Sequence, residues 1–335
     1  MHARTIQTDP SRTEPSRQAP RSRPRWAGVA VAAAISALAF GATTGSAAAA
    51  PAPIEGSANF TFTTLDNEHD PTFNQLLGIN DSGVIAGYFG SGEEGHPNKG
   101  YLLSQPYGQA NYQNENFPHS EQTQVTGLNN SGVTVGFWVD AKGDQIGFDA
   151  VNGHGFQSVE HPGTRGKPKV NQLLGVNDND VAVGFYTSKE VNYGYSYDIT
   201  TRKFHQVSVA EDTNVTAAAI NDEGDIAGFA TNKDGVTEGF LVRPNGTVIH
   251  LDFPGASATT ALGVNNGDEV VGNYTDSSGM HGFAWVPGFG FETVNDPNGV
   301  NATTINGLND RGELVGFYED SSKNTDGLLA VPQEG

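Results

Sequence analysis

The chain has 335 residues, no cysteine, 43 glycines and 17 prolines, with 18 Lys and Arg against 38 Asp and Glu. The lack of cysteine excludes a disulfide scaffold, a thiolate metal site, a cysteine nucleophile and a lipobox anchor. A formal charge of −20 argues against nucleic acid and anionic membrane surfaces as main partners, and the evenly spread glycines point to many short strands and tight turns.

Residues 1–25 are polar and basic, with Arg4, Arg12, Arg17, Arg21, Arg23 and Arg25; an apolar run from Trp26 to Phe40 and an Ala-rich stretch ending in Ala47–Ala50 follow. That order of basic, apolar and small residues is a secretory signal peptide, expected over 1–50 with a short linker over 51–58. The apolar run is shorter than the roughly 20 residues a membrane span needs. No adjacent Arg pair is present to indicate twin-arginine export. Removing residues 1–50 takes six arginines and two acids, leaving a net charge of −24. The product is expected to be soluble, secreted and extracellular, with no membrane contact after cleavage.

From residue 59 onward one unit recurs six times. The fragments LLGINDSGVIAGYF, VTGLNNSGVTVGFW, LLGVNDNDVAVGFY, AAAINDEGDIAGFA, ALGVNNGDEVVGNY and NGLNDRGELVGFY align without gaps on Asn80, Asn129, Asn177, Asn221, Asn265 and Asn309. Seven residues after each anchor stands a glycine: Gly87, Gly136, Gly184, Gly228, Gly272 and Gly316. Each copy reads as four short strands, a to d. Strand a runs into the anchor (Gln75–Ile79). An Asx-rich turn follows, in which short polar side chains cap the backbone. Strand b is Val84–Phe89 or Val133–Trp138, and strand c is Lys99–Leu103 or Gly282–Val286. Strand d carries a Phe-x-x-Val pattern, as in Phe156/Val159, Phe204/Val207 and Phe291/Val294. Four strands in about 44 residues predict a β-propeller blade. The sixth copy lacks strand d after Asp326–Val331, whereas Phe60–Leu65 supplies a matching Phe62/Leu65 pair. The expected fold is all-β: a six-bladed β-propeller over 59–335, closed by the N-terminal strand pairing with the last blade.

The unit G-(I/V/L)-N-(D/N)-x-G-x-(V/I)-x-G-x-(Y/F), with D-x-x-G-x-x-x-G-(F/Y) behind it, resembles the HAF-type extracellular repeat of secreted bacterial proteins. The resemblance spans about residues 58–331. The His-Ala-Phe triplet has drifted, with Met280-His281-Gly282-Phe283-Ala284 the nearest copy. It implies secretion and a propeller-like repeat, and it supplies no activity or catalytic residues.

The near-identical a–b turns suggest a structural face, and the b–c and d–a loops vary most in length. Variable loops on a rigid scaffold are where function usually sits. Two residues after the strand-b glycine stand Phe89, Trp138, Tyr186, Tyr274 and Tyr318, with Ala230 in the fourth copy; Asp140, Asp276 and Asp320 follow two residues later. These form either an aromatic–acid rim suited to sugar rings or cationic groups, or inter-blade packing with acids capping turns. The symmetry is broken by His161, Arg165, Lys167 and Lys169, a basic cluster suited to an anionic group. The predicted ligand-binding set is Phe89, Trp138, Asp140, His161, Arg165, Tyr186, Tyr274, Asp276, Tyr318 and Asp320. Catalytic residues are not identifiable, although Glu93/Glu94, Glu211/Asp212 and Glu319/Asp320 are acid pairs. The histidines lack zinc spacing. The Asx-rich turns share the composition of calcium loops without the terminal Glu, so turn chemistry explains them and no metal or cofactor is expected, with calcium in the channel or loops as the alternative. The sequence therefore points to a monomeric recognition or scaffold propeller, binding a glycan, cell-wall component, peptide or secreted protein through its loop face. The alternative is a polysaccharide hydrolase or lyase with its site at the channel mouth.

Overall fold

A computed structural model of the protein describes residues 60–151 and 155–333. The predicted signal peptide, the whole of the linker and His154 lie outside the described residues. Six four-stranded antiparallel sheets form a six-bladed propeller. Blade 1 is β2 (Asn74–Ile79), β3 (Ile85–Phe89), β4 (Lys99–Leu103) and β5 (Tyr112–Asn114). Blade 2 is β6 (Gln122–Leu128), β7 (Thr134–Val139), β8 (Gln145–Val151) and β9 (Gly155–Val159). Blade 3 is β10 (Asn171–Val176), β11 (Val181–Ser188), β12 (Val191–Asp198) and β13 (Lys203–Gln206). Blade 4 is β14 (Thr213–Ile220), β15 (Ile226–Thr231), β16 (Thr237–Val242) and β17 (Val248–Leu251). Blade 5 is β18 (Ala258–Val264), β19 (Val270–Asp276), β20 (Gly279–Val286) and β21 (Gly290–Thr293). Blade 6 is β22 (Thr303–Leu308), β23 (Leu314–Glu319), β24 (Thr325–Pro332) and, as its outermost strand, β1 (Phe60–Thr64).

The closure expected from sequence is present: β1 pairs antiparallel with β24, Phe62 opposite Ala330. Strand ends differ from the sequence expectation by up to three residues, for example at β3 and β20, as terminal residues commonly do. Pairing β1 with β24 covers the outer edge of β24, which would otherwise be open to another chain.

Each blade carries the same irregularity. The pairing of its first two strands shifts by one residue, at Leu76/Gly78, Val125/Gly127, Leu173/Gly175, Ala217/Ala219, Ala261/Gly263 and Ile305/Gly307. The bulge turns the inner strand so that a carbonyl points into the neighbouring strand. A Cβ added to Gly87, Gly136, Gly184, Gly228, Gly272 or Gly316 would collide with the carbonyl oxygen of Gln75, Gln124, Gln172, Thr216, Thr260 or Thr304 respectively. Close backbone approach thus explains why glycine recurs seven residues after every anchor.

The anchors bind the ring together. Five of the six anchor asparagines use Oδ1 to accept the backbone N–H groups two and four residues on, as Asn177 does from Asn179 and Val181, and Asn221 Oδ1 accepts the N–H of Asp225. Each Nδ2 donates to the carbonyl of the next anchor: Asn80 to Asn129, 3.1 Å, Asn129 to Asn177, 3.0 Å, and Asn177 to Asn221, 2.8 Å. The series continues through Asn221 to Asn265, 3.1 Å, and Asn265 to Asn309, 3.3 Å, and closes with Asn309 to Asn80, 3.1 Å. A second closed circuit lies outside it. The N–H groups of Asp81, Asn130, Asp178, Asp222, Asn266 and Asp310 each donate to the Oδ1 of the next residue in that order, and Asp310 donates back to Asp81.

The six inner strands enclose an axial channel. From the anchor side it passes an aliphatic collar of Ile79, Leu128, Val176, Ile220, Val264 and Leu308. That collar separates a vestibule of about 90 Å³ from an inner chamber of about 120 Å³. Apolar contacts between adjacent sheets make up the core, such as Leu173, Val135 and Tyr195 between blades 2 and 3.

Candidate functional site

The face opposite the anchor turns carries the b–c and d–a loops, and the predicted site residues lie there. The d–a crossing of one blade places a side chain on the strand-b aromatic of the next. Phe117 stacks on Trp138 with centroids 4.4 Å apart, His161 on Tyr186 at 3.9 Å, and Phe253 on Tyr274 at 3.6 Å. His69 stacks more loosely on Phe89, at 5.9 Å. Blade 4 has Ala230 in the aromatic's place, and Val209 packs in the same apolar cluster. Tyr318 shares a hydrogen bond with Thr64 Oγ1, 2.8 Å. Phe89, Trp138, Tyr186 and Tyr274 are therefore tied to the crossing that precedes their blade, and Tyr318 to the closing strand of its own blade.

The three acids cap b–c turns. Asp140 Oδ1 accepts the Lys142 and Asp144 N–H groups, and Asp320 Oδ1 accepts those of Ser322 and Asn324. Asp276 Oδ1 accepts the Ser278 N–H and hydroxyl and lies 3.3 Å from His281 Nε2. Burial opposes ionisation of Asp276, but the Ser278 hydrogen bonds and His281 outweigh it and hold the carboxyl below its usual range. In blade 6 the acids act on one another. Burial pushes Asp66 up to about 6 against the Gly327 N–H, and Asp326 and Asp320 reinforce the rise.

The basic loop of residues 160–169 is partly neutralised. Lys169 Nζ pairs with Glu160 at 2.8 Å, whereas Arg165 donates through Nη1 to the carbonyls of Pro162 and Thr164. Arg165 N–H also bonds to the Thr187 carbonyl, which fixes the loop beside Tyr186. Burial holds His161 below the ordinary histidine range, so it stacks as a neutral ring. In blade 1, His96 Nδ1 pairs with the buried Asp70 at 2.6 Å.

A feature the sequence reading missed is the residue opposite each strand-b aromatic on the third strand. The cross-strand pairs are Phe89/Lys99, Tyr186/Tyr193, Ala230/Glu238, Tyr274/His281 and Tyr318/Asp326, with Trp138 opposite Ile146. The inner member is nearly constant and the outer member is different in every blade. Its sequence signal is position: each outer residue directly precedes the second repeated glycine. In blade 3 the outer residue is aromatic. Tyr193 stacks on Tyr186 with centroids 5.3 Å apart and an interplanar angle of 18°, completing a ladder His161–Tyr186–Tyr193 whose outer ring is 38% exposed.

Among the described residues, one group of carboxylates converges closely enough to hold a metal ion: Glu223, Asp225 and Asp268, on the anchor-turn face. Arg243 already bridges two of them, at 2.6 Å to Asp225 and 2.7 Å to Asp268, and supplies the counter-charge itself. No helix among the described residues is long and apolar enough to cross a membrane.

No protein-family model matches the sequence, and no curated relative matches it. Solved structures do. The protein assigned as TolB from Agrobacterium tumefaciens is 14% identical with a TM-score of 0.53, covering 78% of this chain and 92% of that one. A streptogramin B lyase is 10% identical with a TM-score of 0.49, covering 82% and 99%. A lectin from Aleuria aurantia is 10% identical with a TM-score of 0.43, covering 79% and 93%. At these identities the likeness to the first shows the propeller fold.

Proposed function

We propose that the chain is a secreted binding scaffold that takes a glycan on the loop-face rim of blade 3. One observation carries this reading: the His161–Tyr186–Tyr193 ladder, which starts on the crossing that carries Arg165 and ends in an exposed ring. A ring backed by two others is pre-oriented, so a sugar stacking on its free face orders no further side chain. Arg165 and Lys167 stand on the same crossing, in a protein that is otherwise strongly acidic. They suit a uronate or other acidic substituent projecting from the stacked sugar. The two-residue turn Lys189–Glu190 keeps the adjoining hairpin short, and Tyr193 near its end is exposed.

The function is tested with the purified protein by affinity electrophoresis and calorimetry against polygalacturonate, with dextran as the neutral comparison. Retention by polygalacturonate that falls at least tenfold in Tyr193→Ala supports the reading. Equal retention of wild type and Tyr193→Ala overturns it. Release of new reducing ends from the polymer would replace a binding scaffold with an enzyme.

A further inference from the structure

Blade 6 departs from the other blades at the position that backs its strand-b aromatic. Before blades 2, 3 and 5, the crossing residue that stacks on this aromatic also donates its N–H to a side chain near the start of the inner strand. Phe117 donates to Thr123 Oγ1, 3.1 Å, His161 to Asn171 Oδ1, 2.9 Å, and Phe253 to Thr259 Oγ1, 3.0 Å. Thr123, Asn171 and Thr259 in turn lie opposite Trp138, Tyr186 and Tyr274. Before blade 6 the same bond, 3.3 Å, runs from the Asp296 N–H to Thr303 Oγ1, and Thr303 lies opposite Tyr318. A carboxyl thus stands where the other three crossings carry a ring. On its other neighbouring strand, β24, Tyr318 lies opposite Asp326.

Tyr318 also ties the closing strand to the blade, through its hydrogen bond with Thr64 Oγ1, 2.8 Å. Two residues beyond Thr64, Asp66 Oδ1 accepts the N–H of Gly327, the neighbour of Asp326, at 2.9 Å. Burial raises the Tyr318 phenol, and Asp326, Asp296 and Asp66 add to the rise, so three carboxyls act on one hydroxyl. Asp296 is 2% exposed and Asp326 8%, and Asp296 Oδ2 is buried without a hydrogen-bond partner. Among the described residues no Lys, Arg or His pairs with Asp66, Asp296, Asp320 or Asp326. An ionised carboxyl in this place loses hydration without gaining a counter-charge. On the blade 1 side are Tyr101 and Tyr112, whose phenols burial and Asp66 keep neutral and whose hydroxyls are also buried without a partner.

We propose that blade 6 carries a proton-operated latch: the carboxyls of Asp66, Asp296 and Asp326 hold β1 against the blade when protonated and loosen it on ionising. Burial raises all three, Asp66 to about 6, and repulsion from neighbouring carboxylates, Asp320 among them, reinforces the rise at Asp66 and Asp326. The opposing bonds are the Gly327 N–H on Asp66, the Tyr318 hydroxyl on Asp326 and the Asn298 N–H on Asp296, and burial outweighs each. A raised carboxyl stabilises the folded state fully below its unfolded value, about 4, and loses that contribution as pH rises through its folded value. The latch is therefore closed in acid and slackens as pH rises through about 6. The closing strand yields first. It pairs with β24 alone, and no hairpin joins the two, whereas the outer strand of every other blade follows its neighbour directly in the chain.

Hydrogen exchange of the purified protein at pH 4.5, 6 and 7.5, corrected for intrinsic exchange, tests the latch. Protection of residues 60–65 should fall at least about tenfold between pH 4.5 and 7.5, the effect of one pKa unit. The isosteric double substitution Asp296→Asn with Asp326→Asn removes both charges beside Tyr318 and should shrink that fall to less than about threefold, well under one pKa unit. Asp66→Asn should shrink it in the same direction and serves if the double variant fails to fold. Asp149→Asn, in blade 2, should leave the fall as it is in the wild type. Protection of residues 60–65 that stays constant or rises between pH 4.5 and 7.5 overturns the proposal. So does an equal fall in the wild type and in the blade 6 variants, or a fall that Asp149→Asn removes.

Discussion

Replacing Asn177 with alanine tests whether the anchor circuit stabilises the ring. The side chain is 5% exposed and makes three hydrogen bonds: Oδ1 accepts from Asn179 N at 3.1 Å and Val181 N at 3.0 Å, and Nδ2 donates to the Asn221 carbonyl at 2.8 Å. At about 1 kcal/mol net for each bond, Asn177→Ala should cost about 3 kcal/mol, and more where the Asn221 carbonyl stays buried. For a domain of this size that is a fall in Tm of about 6–12 °C. Asn177→Asp separates the two functions of the side chain. It keeps both turn bonds but sets a carboxylate oxygen against the Asn221 carbonyl, which disfavours the ionised form and raises the folded-state pKa of the new carboxyl. A raised pKa gives stability that is present below the unfolded value and lost as pH rises through the folded one. The penalty of Asn177→Asp should therefore shrink on acidification toward pH 4, where a protonated carboxyl can donate, whereas that of Asn177→Ala should not follow it. Urea denaturation at pH 4, 6 and 8 measures both. An Asn177→Ala variant within about 0.5 kcal/mol of wild type, well below the single-bond scale, would refute the reasoning.

Three further outcomes follow from the same geometry. Gly272→Ala drives a Cβ into the Thr260 carbonyl and should cost at least about 3 kcal/mol or block folding, whereas Gly108→Ala, whose Cβ would meet only Asn111 Oδ1 at 3.4 Å, should stay within about 1 kcal/mol in the same denaturation assay. Burial pushes the Asp149 carboxyl up to about 6, with Arg202 only partly opposing it. The folded state therefore holds a proton there that the unfolded chain releases, and stability from this site is lost as pH rises from about 4 through about 6. Asp149→Asn should accordingly raise stability by on the order of 2 kcal/mol at pH 7.5 and by almost nothing at pH 4, read from Tm across that range. Lys189 and Glu190 form their two-residue turn with φ of 54° and 65°. Because that turn favours glycine at its second position, Glu190→Gly should raise the urea midpoint, by about 0.5–1 kcal/mol in stability.

Much of this architecture is legible in the sequence because a blade is a local object. The Asx turn after each anchor, the glycine seven residues on and the alternating strands all act within about 44 residues, so six copies predict six blades. The closing strand is legible for the same reason: Phe62 and Leu65 repeat the strand-d pattern, and β1 takes its place beside β24. The predicted rim is legible only as a list. Phe89, Trp138, Tyr186, Tyr274 and Tyr318 recur at one position, but their partners come from the neighbouring blade, at no fixed distance along the chain. His161 on Tyr186 and Phe253 on Tyr274 are stacks that spacing alone cannot pair.

The sequence by itself determined the blade, the number of blades and the manner of closure, because the turn and strand preferences that make them act between residues close along the chain. Tertiary structure decided what lies between blades. It closed the anchor circuit from Asn309 to Asn80 across 229 residues and backed Tyr193 with two further rings. It also set Asp296 beside Tyr318, at the position where the crossings before blades 2, 3 and 5 carry a ring. Each of these depends on the distance and angle between adjacent sheets, which exist only once the ring has closed.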